Sequence, residues 1–137
     1  MGEVRVKIKL VNAGDEAMFR RGRISKEEIR TYETSALVDT GAIPSVLPIE
    51  IVQKLGLDLI RKERATYANN SSENVDVTEP VSFEILGRRV TEEALVLGDE
   101  VTIGQIALER TDLLVDCVNQ KVIPNPAHPD QAVIKVK

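Results

Sequence analysis

The sequence predicts a mostly-β fold, closed into a barrel or sandwich, with one or two short helices. Three observations predict it. Short runs of alternating or β-branched residues recur along the chain, separated by turns rich in Gly, Asn and Pro. Only two segments have a helical character, and neither sits in the regular strand–helix alternation of a parallel sheet. With 137 residues, 42% apolar and 29% charged, the chain has the size and composition of one globular domain, 1–137.

Taken in order, "VRVKIKL" alternates apolar and basic residues and reads as a half-buried terminal strand at 4–10. The following "VNAGDEAMFRRGR" reads as a loop by its Asn, Gly and Asp content. Ser25 and Glu28 have capping-box spacing, which fits either a short helical turn or a solvated charged loop. Thr31 to Val38 is β-rich. "PIEIVQKLG" is a short helix, with Pro48 near its start and Gly56 where a helix ends. "RKERATYA" is a strand candidate, "NNSSEN" a polar tip, and "VDVTEPVSFEIL" is again β. Gly87 turns the chain into "VTEEALVL". "TIGQIALER" holds one or two helical turns, "DLLVDCVNQKVIP" a hairpin, and "AVIKVK" a last alternating strand at 132–137.

Composition removes several functional classes. The net charge of -4 disfavours a phosphate-rich partner, and two Tyr, two Phe and no Trp make a poor base-stacking platform, so no nucleic acid is expected. No long apolar run predicts a membrane span, and the charged Met1 to Leu10 segment is unlike a signal peptide. The single Cys117 fits a reducing compartment, so a cytoplasmic location is expected. With Cys117 and His128 as the lone soft ligands, neither a zinc site nor a cofactor is expected. His128 lies in the loop-like "NPAHPD", a poor place for a Ser-His or Cys-His device. Carboxylate chemistry remains.

The carboxylate that attracts notice is Asp39, in "TSALVDTGAIPSVLP". An acid at the end of an apolar strand is costly to desolvate unless the protein uses it. Asp-Thr-Gly alone is an ordinary turn composition. Here, however, Ala36, Leu37 and Val38 precede it, and "AIPSVLP" returns at once to residues of buried type. Gly41 also permits close backbone approach.

Leu37-Val38-Asp39-Thr40-Gly41-Ala42, followed by Ser45, Val46 and Leu47, resembles the signature of the retropepsin-like aspartic proteases, most closely their short, non-viral, stand-alone members. The order of later parts is similar too: a short helix, a polar-tipped hairpin at about 64–80 in the place of the flap, and Thr102-Ile103-Gly104 before helix-like "QIALER". The resemblance spans about 31–124. It implies a closed barrel working as a C2 homodimer. The catalytic set would be Asp39, Thr40 and Gly41, with the Thr40 hydroxyl tying two active-site loops across the axis. Ala42 and Ile43 would line the groove, and the flap would add Tyr67, Asn69, Asn70, Ser71 and Ser72. Ser45 would brace the loop, with Ile103 and Gly104 supporting it from a second loop; a plain turn glycine is the other reading of Gly104.

Amide hydrolysis needs a base for the water and an acid for the leaving nitrogen, and two carboxylates sharing one proton supply both. One Asp-Thr-Gly per chain is half of that device. Asp116 in "LLVDCV" echoes the motif but lacks the Thr-Gly and reads as a strand-end residue, so the second acid is expected from another copy. An endopeptidase acting on extended peptides is therefore the leading expectation. The alternatives are a peptide-binding or dimerisation module that keeps the fold without turnover, suggested by Ile43, Pro44 and the glycine-free flap tip, and an unrelated small β-domain. The terminal strands would either interleave in a dimer or serve as Lys-protected edges.

Overall fold

The computed structural model describes residues 2–136. Strand β1 (Arg5–Asn12) leads into helix α1 (Ala13–Arg20), then a 3-10 turn (Lys26–Glu28), then β2 (Thr31–Val38) and the short β3 (Val46–Leu47). Helix α2 (Ile49–Lys54) precedes the hairpin β4 (Leu59–Thr66) and β5 (Ser72–Thr78). A second hairpin, β6 (Val81–Ile85) and β7 (Arg88–Glu92), is followed by the two-residue strands β8 (Leu95–Val96) and β9 (Thr102–Ile103). Helix α3 (Gln105–Thr111) and the hairpin β10 (Leu113–Asp116) and β11 (Lys121–Pro124) complete the order.

Among the described residues nine strands form one curled sheet in the order β4-β5-β8-β3-β9-β2-β1-β6-β7, and β10 pairs β11 in a separate ribbon. Alternation explains the sheet's inner face: Ile8, Leu10, Ala36, Val81, Phe83, Ile85 and Val90 are all buried and pack with Leu47, Leu55 and Ile103 in one core. The β6–β7 turn is Leu86-Gly87 with φ of 51° and 76°. Two successive positive φ values are what a two-residue hairpin needs to match strand twist. Gly56, at φ 64°, ends α2 in a Schellman motif: its N–H reaches the Gln53 carbonyl at 3.0 Å and the N–H of Leu57 reaches Val52 at 3.0 Å. Ser25 and Glu28 do form a capping box on the 3-10 turn.

Four expectations need correction. Among the described residues the sheet does not close into a barrel: β4 and β7 are its two ends, and no ladder joins them. Along β4 every residue except Ala65 is exposed. A strand with polar residues on both faces has no apolar side to roll onto a partner. Among the described residues there are three α-helices where one or two were expected, because part of the segment read as a loop after β1 is helical. Asn12 is the cause. It is 2% exposed, its Oδ1 accepts from the Asp15 amide at 3.0 Å, and its Nδ2 donates to the Leu55 carbonyl at 2.7 Å. The residue that suggested a loop is thus an N-cap, and Asp15 and Glu16 stand favourably in the helix's first turn.

The expected last strand is also missing over its described part, 132–136, Lys137 lying outside the described residues. The amide of Val133 donates to Asp112 Oδ2 at 3.1 Å, and Val133 and Ile134 stay 44% and 45% exposed, so the segment joins no ladder and buries no face. The first strand runs on to Asn12, not Leu10, while Val4 lies just outside it; the Val38 amide still donates to the Val4 carbonyl at 2.8 Å. No helix among the described residues is long and apolar enough to cross a membrane.

Candidate active site

The site begins with a strand crossing. β2 and β3 are joined by the loop 39–45, yet they are not neighbours in the sheet: β9 lies between them. β9 runs parallel to β2, pairing Leu37 with Thr102 and Val38 with Ile103, and antiparallel to β3, pairing Val46 with Thr102. The loop must therefore pass over the end of β9. Asp39 is its first residue, set at the strand end by the bond from its own amide to the Ile103 carbonyl at 3.0 Å.

The carboxyl of Asp39 is exposed, and its Oδ1 accepts from the Gly41 amide at 2.9 Å, while the Ala42 amide closes a turn on the Asp39 carbonyl at 3.2 Å. The side chain thus bends the backbone that carries it. Asp39, Gly41, Ala42 and Ile43 line a cleft of about 690 Å³. Its opposite wall is the β4–β5 hairpin through Arg64 to Tyr67, and its far end is the segment Leu97 to Glu100. Ile43 is 67% exposed within it. Such a cleft, mostly apolar with a few polar groups, has the general form of a ligand site.

Thr40 points elsewhere. It borders a second cavity of about 620 Å³, formed with Ile106, Leu114, Val133 and Ile134. The loop therefore divides its residues between two faces, Thr40 on one and its neighbours on the other. Of the five expected flap residues, Tyr67 lines the cleft, whereas Asn69, Asn70, Ser71 and Ser72 sit at the hairpin tip outside its lining. Asn70 holds the tip turn at φ 67°, a conformation Asn tolerates, and the Tyr67 amide donates to the Ser71 carbonyl at 2.8 Å. Tyr67 also hydrogen-bonds Glu73 through its hydroxyl.

Beneath the loop the support is buried. Ile103 and Ser45 are fully buried. The Gly104 amide donates to Ser45 Oγ at 3.1 Å, and the amides of Gln105 and Ile106 donate to the Ala42 and Ile43 carbonyls at 2.7 and 3.1 Å. A Cβ on Gly104 would lie 2.4 Å from the Pro44 carbonyl oxygen. This glycine is required by close approach of two backbones, not by a turn, since its φ is -96°.

Sequence reasoning missed Glu92. At the end of β7 its Oε1 accepts from the Ser45 amide at 3.1 Å and its Oε2 lies 3.2 Å from Ser45 Oγ. Burial pushes its carboxyl above the usual range, and the two Ser45 bonds pull back against that. The signal was present in "RRVTE": with Val90 facing the core, period two places Arg88 and Glu92 inward as well. Arg88 shows the same logic, donating to the carbonyls of Thr111, Asp112 and His128 at 3.2, 2.9 and 2.6 Å.

Asp116, the acid that echoes the Asp39 motif in sequence, is occupied by a turn. It accepts from the amides of Val118 and Asn119, both at 3.1 Å, and from Asn119 Nδ2 at 2.8 Å, and these bonds hold its carboxyl below the usual range. His128 is likewise engaged, its Nδ1 lying 2.7 Å from Asp112 Oδ2.

No curated protein matches the chain. Its residues 22–119, well over half its length, match the family model described as aspartyl protease, a family of retropepsin-like type. That span holds the Asp39 loop, both walls of the cleft, β9 and α3 together, and with the whole arrangement inside the match the chain belongs to the aspartyl protease family.

Proposed function

We propose that the chain is an aspartic endopeptidase that hydrolyses extended peptides with a water held between two Asp39 carboxyl groups, one from each subunit of a C2 homodimer. The observation that carries this reading is a single exposed Asp39, fixed at a strand end beside a cleft of about 690 Å³, in a chain whose one echo of that motif, Asp116, is tied into a turn. One carboxyl group cannot take a proton from water and protonate the leaving nitrogen at once.

In the proposed dimer like charges held close cannot both ionise, so the pair keeps one proton between them and titrates as a unit. The ionised member accepts a proton from the water as its oxygen adds to the peptide carbonyl carbon. The protonated member donates to the carbonyl oxygen. When the tetrahedral centre collapses, the proton taken from water passes to the leaving nitrogen, a hydroxyl of the centre gives its proton back to the member that had protonated the carbonyl oxygen, and the pair is restored. Thr40 would lie on the axis side of the loop. The exposed apolar side chains Ile106, Leu114 and Ile134 on that side suit burial against a second copy. The peptide would lie extended in the cleft with alternate side chains against Ile43, Pro44 and Tyr67, under a hairpin free to move. Gly41 would offer backbone to it.

Cleavage of a peptide library at mildly acidic pH by parent and Asp39→Asn tests this reading. Cleavage by the parent alone supports it; equal cleavage by both ends it. A second reading, a peptide-binding module without turnover, is favoured by the exposed Ile43 on the cleft floor. Tight peptide binding by both proteins with no product from either would select it.

A further inference from the structure

Glu92 sits where an apolar residue would serve the core better. It occupies an inward register of β7, opposite Val81 of β6, and burial acts against its charge. The fold tolerates it there because it is the terminus of a short relay. The Gly104 N–H donates to Ser45 Oγ at 3.1 Å, so the Ser45 hydroxyl is free to donate to Glu92 Oε2 at 3.2 Å. The Ser45 N–H donates to Glu92 Oε1 at 3.1 Å. One carboxylate therefore engages the 39–45 loop by backbone and side chain and, through the same hydroxyl, the Gly104 loop under it.

The surroundings leave that carboxylate to Ser45. Asp39 is the one titratable group of the segment 39–46, β9 and Gly104 carry none, and Val81 stands across the hairpin. The adjoining Glu93 is taken up by Arg61 at 2.6 Å. Among the described residues no cation forms an ion pair with Glu92.

From this geometry we infer that Glu92 is a positioning residue of the proposed reaction, setting the height of the Asp39 loop over the Gly104 loop through Ser45. The inference rests on the peptidase reading. Glu92 touches no substrate; it acts through the backbone that carries the acid. A displacement of about 1 Å at a reacting group costs on the order of 10²-fold in rate. The length of the side chain should therefore matter more than its charge.

Two near-isosteric variants separate these properties. Glu92→Gln keeps the reach: its amide oxygen accepts from the Ser45 N–H and its amide nitrogen donates to Ser45 Oγ. Glu92→Asp keeps the charge and withdraws the carboxylate by one methylene. Kinetics on a cleaved peptide should show kcat of the Asp variant down on the order of 10²-fold, the Gln variant within about tenfold of the parent, and KM of both within about threefold. Parental kcat in Glu92→Asp, or equal changes in kcat and KM, would overturn the inference while leaving the peptidase reading intact. A readout free of turnover accompanies it: in the Asp39→Asn background, adding Glu92→Asp should move the Ser45 and Gly104 amide resonances in a nitrogen–proton correlation spectrum. Unmoved resonances would also overturn it. If they move while the parent cleaves nothing, the relay stands, and both the peptidase reading and the role of Glu92 in its reaction fall.

Discussion

The cleft has a floor and a roof built by opposite means. The floor, 39–45 with Ile103 and Gly104 beneath it, is held by backbone bonds between loops and by fully buried Ser45, Leu47 and Ile103. The roof, β4 with the facing part of β5, is exposed on both faces of β4 and carries surface pairs such as Lys62–Asp76 at 2.8 Å across the hairpin and Arg61–Glu63 at 2.6 Å along β4. Exposed ion pairs contribute about 0–1 kcal/mol each, whereas leaving a buried donor without its acceptor costs about 1–3 kcal/mol. Local opening free energy follows the same division, with exposed, sparsely packed hairpins opening first. The lesson is that the acid is placed rigidly while the wall facing it opens at little cost, as the proposed peptide cleft requires.

Substitutions can break this contrast, starting with the largest effect. Asp39→Asn should lower turnover roughly 10²–10⁴-fold, the range for losing a general acid–base group, with the thermal midpoint unchanged because the carboxyl is exposed. Gly104→Ala should destabilise by about 1–3 kcal/mol through overpacking, since its Cβ meets the Pro44 carbonyl oxygen at 2.4 Å; urea unfolding reads this directly. Ser45→Ala removes the acceptor of the Gly104 N–H and should cost about 1–3 kcal/mol in the same measurement.

On the roof, Tyr67→Phe removes an exposed bond to Glu73 and should leave the urea midpoint unchanged. A large loss from Tyr67→Phe, or none from Ser45→Ala, would erase the distinction between floor and roof.

Stability also depends on pH, through one half-buried and one paired carboxyl group. The folded carboxyl of Glu92 is raised above its ordinary value of 4.5. Its contribution is therefore fully present below that value and is lost as pH rises through the folded one. Asp15, held below 3.8 by the Arg30 guanidinium, behaves oppositely: its contribution is present above that value and disappears as pH falls through the folded one. Relative to the parent, Glu92→Gln should gain thermal stability on going from about pH 4 to about pH 8. Arg30→Ala should raise the pH at which acid unfolding begins.

The floor was more legible in the sequence than the roof or the ends, for physical reasons. Apolar residues on both sides of Asp39, and Gly56 after α2, are local signals that survive folding unchanged. The β10–β11 hairpin likewise follows from its own alternation. Glu92 was obscured because its meaning depends on Ser45, 47 positions away in sequence. Asn12 has the composition of a turn but serves as a buried cap, and the final alternating segment found no edge because Asp112 holds the Val133 amide. Closure of the sheet depends on whether two distant strands meet, which the pattern of either alone does not encode.

Catalysis by two copies is tested most directly by mixing. In the proposed homodimer, parent and Asp39→Asn exchanged at fixed total concentration would form mixed dimers with one acid each. If both acids are required, activity follows the square of the parent fraction, so an equal mixture retains about one quarter of the parent's rate. A linear decline, with about one half remaining, would mean that a single chain cleaves on its own.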